Sequence, residues 1–177
     1  FIEFDDNNPT PLSPAEALAV RPESRVMHWP PGWHSEYSNS GPGMASYVIE
    51  KATGETFDQY IVEQVFKPLG MNSASLLLSD KIGLSLATGY DKDGHTVIPY
   101  CHIVYRASGG LNVLPFEISR FRQMLINHGR LDDQAVFSTT QIKRLETPKT
   151  ALAAQTGLEY GYGLGIYRSL HKQHVLF

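Results

Sequence analysis

The chain has 177 residues, 42% apolar and 19% charged, with a formal net charge of −3. This is an ordinary globular balance with enough apolar residues for a sizeable core, and it excludes a disordered acidic chain. Acids and bases are interspersed without a basic stripe, which argues against a nucleic-acid partner, and no apolar run approaches a membrane span.

In chain order, Phe4-Asp5-Asp6-Asn7-Asn8-Pro9 predicts a loop. Ser13-Pro14-Ala15-Glu16 predicts a short helix with Ser13 as cap, Pro14 in the first turn and Glu16 closing a capping box; Pro22 stops it. Residues 28–43 hold two tryptophans and a tyrosine among prolines and glycines. A loop so aromatic is expected to pack down or line a pocket. A helix follows from about Gly41 to Thr53, with Met44, Tyr47, Val48 and Ala52 at helical spacing and Gly54 as its stop.

Thr56-Phe57-Asp58-Gln59 caps the next helix, which turns Phe57, Tyr60, Ile61, Val65 and Phe66 inward and ends at Pro68 and Gly70. Asp91-Lys92-Asp93-Gly94 predicts a turn, and Ile98 to Tyr105 a strand. Cys101 is the sole cysteine, so an internal disulfide is excluded, and the residue reads as a small buried hydrophobe. Ser108-Gly109-Gly110-Leu111 predicts a flexible junction. Pro115 opens a helix with Phe116, Phe121, Met124 and Leu125 on one side and Gly129 at its end. Ser138-Thr139-Thr140-Gln141 caps a shorter helix ending at Pro148. Tyr160 to Tyr167 alternates glycine with bulky residues, a strand with something packed close to its glycine face. The chain closes on the apolar Val175-Leu176-Phe177, read as a strand expected to expose an unpaired edge. The chain reads as a single partial domain over 1–177.

Tyr37-Ser38-Asn39 is common as three residues and equally suits a helix start with Asn39 or Ser40 as cap. Its setting is more specific: Pro31-Gly32, four residues, Tyr37-Ser38-Asn39-Ser40-Gly41, a helix, then Thr53-Gly54-Glu55-Thr56-Phe57-Asp58-Gln59-Tyr60. Val65-Phe66-Lys67-Pro68-Leu69-Gly70-Met71, Leu86-Ala87-Thr88-Gly89-Tyr90, Ser108-Gly109-Gly110-Leu111 and Tyr160-Gly161-Tyr162-Gly163-Leu164-Gly165 follow in order. This series resembles the class C β-lactamase family of penicillin-recognising serine hydrolases, which also holds D-alanyl-D-alanine carboxypeptidases and esterases. The resemblance spans nearly the whole chain.

It implies an α/β (α+β) β-lactamase/DD-peptidase-like fold, of which this chain covers mainly the helical region plus one or two strands of the antiparallel sheet. It implies a hydrolase acting through an acyl-serine on an amide, lactam or ester, with no cofactor, and leans toward a periplasmic or secreted home. The family uses a Ser-x-x-Lys nucleophile, a Tyr-x-Asn, and a late Lys-Thr-Gly or His-x-Gly strand. By resemblance Tyr37 is the general base and Asn39 the positioning amide. Ser108, Gly109 and Gly110 would border the substrate cleft, although close packing alone explains such glycines slightly better. A phenol has a pKa of about 10 and needs nearby cations to act as a base. No Ser-x-x-Lys precedes Tyr37, and the late element is expected beyond Phe177, so the chain is expected to be an inactive internal piece of its parent. Ser169-Leu170-His171-Lys172 matches Ser-x-x-Lys but comes after the motif it should precede, and reads as a chance match in a polar turn. The histidines are scattered without a metal-binding pattern, and the glycines at 161, 163 and 165 lack dinucleotide spacing. The rival reading is a non-catalytic binding or sensor module on the same scaffold.

Overall fold

The computed structural model describes residues 12–20, 22–31, 33–34, 36–78, 80–83, 85–149, 152–171 and 174–176. The predicted loop at 4–9 lies outside them. The chain divides into two compact units, Phe1–Val26 with Ser38–Ile118, and Met27–Tyr37 with Ser119–Phe177.

The first unit is mainly helical. Helix α1 (Pro14–Val20) starts as its sequence predicts: the Glu16 carboxylate accepts from the Ser13 amide at 2.8 Å and the Ser13 hydroxyl at 2.7 Å. The same two bonds hold the Glu16 carboxyl below its ordinary range, the backbone bond first. A 3-10 turn, Pro22–Arg25, follows. Helix α2 (Ser40–Thr53) ends at Gly54, whose φ of 77° is the left-handed stop that a glycine takes without strain. Helix α3 (Phe57–Ile61) is capped by the Thr56 side chain and runs on as a π turn, Val62–Phe66, burying Phe57 and Phe66 as expected. Leu69 and Met71 are buried just after it. A short helix α4 (Asp80–Gly83) precedes a two-residue hairpin, β1 (Gly89–Tyr90) and β2 (Val97–Ile98), with the predicted turn inside it. The Asp93 carboxylate accepts from the Thr96 hydroxyl at 2.5 Å and from the amides of His95 and Thr96, which holds its carboxyl below the usual range.

Two expectations change here. The strand expected over 98–105 is limited to Val97–Ile98, and Ser108-Gly109 belongs to a short helix α5 (Arg106–Gly109) instead of a flexible junction. Helix α2 also buries a different face. Gly43 and Ser46 are buried while Met44 and Val48 are exposed. The reason is close approach: Tyr105 lies on α2 so tightly that a Cβ on Gly43 would sit 2.9 Å from its ring. Tyr105, Ala17 and Leu18 form a buried cluster, with Leu12, Tyr47 and Val104 packed on it. Cys101 is half-buried, not fully enclosed.

Helix α6 (Pro115–Ile126) forms where predicted, but Phe116 is 71% exposed and Glu117 is buried in its place. The Glu117 side chain accepts from the Ser73 amide at 2.8 Å and hydroxyl at 2.5 Å, and these bonds satisfy a polar group that is buried.

The second unit carries the later strands. Gly129, at φ 97°, ends α6 beneath the Phe137 carbonyl, where a Cβ would come within 2.1 Å. Strands β3 (Arg130–Leu131) and β4 (Gln134–Ala135) join through Asp132 and Asp133, both at positive φ, as a tight hairpin of primed type requires. Helix α7 (Thr139–Glu146) has the predicted capping box between Ser138 and Gln141 and buries Ile142. After helix α8 (Leu152–Gln155), a three-stranded antiparallel sheet has the order β5 (Gly161–Tyr162), β6 (Tyr167–His171), β7 (His174–Leu176). The glycine alternation is therefore a hairpin, not one strand: Tyr162 pairs with Tyr167, and Gly165 turns at φ 93°. Its glycine face does meet a close neighbour, since a Cβ on Gly163 would lie 2.0 Å from the Leu145 carbonyl. Ser169 to His171 lie in β6, not in a polar turn, and Lys172 is outside the described residues. Among the described residues no helix is long and apolar enough to cross a membrane.

Candidate active site

Tyr37 closes the first segment of the second unit and is 77% exposed. The aromatic loop before it does not pack down as expected. Trp33 is 72% exposed, and Trp29 meets His34 at 5.6 Å between ring centroids. His34 lies 3.7 Å from the Glu36 carboxylate, and the Trp33 amide donates to the Pro30 carbonyl at 3.2 Å. Both indoles are exposed.

Asn39 belongs to the first unit, half-buried at the N-cap position of α2. Its side chain makes no capping hydrogen bond. Caps reach the second and third amides from an extended backbone, whereas Asn39 is already helical at φ −75° and ψ −21°.

Ser108 and Gly109 lie in the same unit on α5, which packs against α2, and Gly110 is its C-cap. The Ser108 hydroxyl donates to the Tyr105 carbonyl at 2.7 Å, so it is engaged within its own turn. Gly109 is exposed, while Gly110 is buried, with room for a Cβ only at 3.0 Å from the Arg106 Cα. Close packing of its own turn is therefore one reason for a glycine at 110.

Three features that hold α5 have no counterpart among the sequence motifs. The Arg106 guanidinium donates to both Asp58 oxygens, Nε at 3.2 Å and Nη2 at 2.8 Å, and a third bond goes to the Leu12 carbonyl. The Asn112 amide donates to the Tyr100 hydroxyl at 3.1 Å and the Gly110 carbonyl at 3.3 Å. The backbones of Ser75 and Asn112 pair reciprocally at 3.0 and 2.8 Å. Asp58 and Arg106 are 48 positions apart, and no local pattern links such a pair.

The profile of the Beta-lactamase family matches residues 3–175. The chain belongs to the β-lactamase family. A D-aminopeptidase of Brucella ovis is 26% identical over 153 residues, covering 85% of this chain and 28% of the enzyme. A penicillin binding protein of Bacillus halodurans has a TM-score of 0.71 at 22% identity, over 97% of this chain and 51% of that one. A D-amino acid amidase of Ochrobactrum anthropi SV3 has a TM-score of 0.66 at 18% identity, over 94% of this chain and 48% of that one. The chain therefore spans under a third of this curated relative and about half of the solved structures it matches. These structures share its fold, helices with small antiparallel sheets.

Proposed function

We propose that the protein from which this chain derives is a serine hydrolase of class C type, acting through an acyl-serine on an amide, lactam or ester. Tyr37 is the general base that takes the serine proton and returns it to the leaving group. Asn39 positions the lysine and the substrate amide, and Ser108–Gly110 border the cleft. The two compact units are parts of one catalytic domain. The observation that carries this reading is the family match over residues 3–175, within which Tyr37-Ser38-Asn39 runs directly into α2. Two facts agree with it. Tyr37 is 77% exposed, and α2, led by Asn39, packs against the helix that bears Ser108.

The nucleophile and its lysine come from elsewhere in the parent, so this chain alone is inactive. Fluorescent penicillin and a fluorophosphonate are expected to leave it unlabelled and to label the parent at one serine outside residues 1–177. In the parent, Tyr37→Phe is expected to slow acylation about 10²–10⁴-fold, the usual contribution of general-base catalysis. Stoichiometric labelling of any serine in this chain overturns the proposal, and so does an unchanged acylation rate in Tyr37→Phe.

A further inference from the structure

Helix α7 carries Thr140, Lys143 and Arg144 at the i, i+3, i+4 spacing that puts residues on one face, and its C-cap residue Thr147 follows. That face lines an open cleft of about 440 Å³, completed by Lys149 and by Leu164 from the turn between β5 and β6. Three cations and no acid line it. Among the described residues none of the three forms an ion pair. Of this unit's acids, Glu159 binds Arg168 at 2.7 Å, Asp132 binds Arg120 at 2.8 Å, Glu36 faces His34, and Asp133 lies in the turn between β3 and β4. Glu146, half-buried on α7, does not line the cleft. The unit holds eight Lys and Arg against five Asp and Glu, although the whole chain is net negative.

We propose that this cleft binds an organic phosphate ester, with the phosphate between Lys143, Arg144 and Lys149 and the organic part against Leu164. Cations in the last turn of a helix normally complement its dipole. That accounts for Lys143 and Arg144 but not for Lys149 or for Leu164 across the cleft. The walls are tied together: the Leu164 amide donates to the Leu145 carbonyl at 3.0 Å, and the Lys149 amide to the Tyr162 carbonyl at 2.9 Å. The Lys143 carbonyl accepts from the Thr147 amide at 3.0 Å, so these helix-end carbonyls are occupied and do not face an incoming anion unscreened. Three adjacent cations repel one another, and a dianion relieves that repulsion. An arginine fork with two lysine point charges suits a phosphate. The volume lies in the range of small-molecule sites, about 300–1,000 Å³, and exceeds what inorganic phosphate fills.

The test is calorimetric titration of this chain, at about 50 mM salt where screening is modest, with phenyl phosphate, inorganic phosphate and benzoate. Phenyl phosphate is expected to bind one to one and several-fold more tightly than either other probe. The triple variant Lys143→Glu, Arg144→Glu, Lys149→Glu is expected to abolish binding; all three side chains are exposed, so it should fold. Lys149→Gln is expected to weaken phenyl phosphate about fivefold, and Leu164→Ala to bring it level with inorganic phosphate. Equal binding by wild type and the triple variant overturns the proposal, as does benzoate binding as tightly as phenyl phosphate, or no saturable binding of any probe. The readout is binding by this chain, so failure of the acyl-enzyme reading leaves it intact.

Discussion

Removing the Asp58 carboxylate should destabilise the first unit well beyond what an exposed ion pair could explain. Asp58 and Arg106 form a two-pronged pair, and their side chains are only 23% and 11% exposed. Exposed pairs contribute about 0.2–1 kcal/mol. Breaking a fully buried pair costs about 3–5 kcal/mol, chiefly because the remaining charge is stranded. At this intermediate burial, Asp58→Ala is expected to cost about 1.5–3 kcal/mol, since Arg106 keeps the Leu12 carbonyl as an acceptor. Arg106→Ala should cost more, because it loses that bond and the packing of its stem as well. The assay is urea unfolding of both single variants and the double, followed by far-ultraviolet circular dichroism. With slopes of about 1–3 kcal/mol per molar urea, Asp58→Ala should lower the midpoint by about 1 M. The double-mutant cycle should give a coupling of at least about 1 kcal/mol. Amide exchange across Arg106–Gly110 should quicken in Asp58→Ala. A coupling below about 0.5 kcal/mol, with Asp58→Ala as damaging as Arg106→Ala, would refute the reasoning and make the pair an ordinary surface contact.

Other expectations can be checked on the same protein. Gly163→Ala pushes a methyl to 2.0 Å from the Leu145 carbonyl oxygen and should cost about 2–4 kcal/mol, from overpacking and the loss of two adjoining backbone bonds. A wild-type urea midpoint would show that the hairpin does not lie on the end of α7. Ser138→Ala deletes a complete capping box and should cost about 0.5–2 kcal/mol, read as a lowered melting temperature. The Glu16 carboxyl is held below its unfolded value, so its contribution is present above that value and is lost as pH falls through the folded one. Glu16→Gln should therefore destabilise the chain near neutrality and flatten the acid limb of its stability–pH curve; an unchanged slope in acid would count against the Ser13 bonds.

Local chemistry is legible in the sequence and spatial closure is not. Ser13 with Glu16, Thr56, Ser138 with Gln141, and Gly54 each act within a few residues, so their elements appear where the pattern puts them. The errors arise where a distant partner decides. Met44 and Val48 look like a core stripe, but Tyr105 selects the small face at Gly43 and Ser46. Phe116 looks buried, but Ser73 supplies two donors to Glu117, one position along, and the helix buries the acid. The glycine alternation over 160–167 reports closeness correctly and continuity wrongly, because a period of two does not reveal the turn at Gly165. The candidate site shares this division. Tyr37, Asn39 and Ser108–Gly110 stand out as short strings, while Asp58, Arg106 and Asn112, which hold α5, carry no local signature.

Gly43 offers a test in which two known effects have opposite sign. Alanine inside a helix is favoured over glycine by about 1 kcal/mol, so on propensity alone Gly43→Ala should stabilise α2. Against this, the new Cβ would lie 2.9 Å from Tyr105 Cδ1, closer than real contacts allow, and Tyr105 is buried in a packed cluster with Ala17 and Leu18. Forcing that ring aside costs about 1–3 kcal/mol, so the net expectation is a loss of about 1 kcal/mol. Replacing Tyr105 with leucine removes the ring and should reverse the sign. In a Tyr105→Leu background, Gly43→Ala should raise the urea midpoint, although in the wild type it lowers it. If it destabilised both backgrounds equally, the glycine would be serving the turn after Asn39 and not the approach of α5. The reversal would place the contact between α2 and α5 under the control of one missing side chain. Asn39 and Ser108 would then be brought into the same unit by a glycine that neither motif includes.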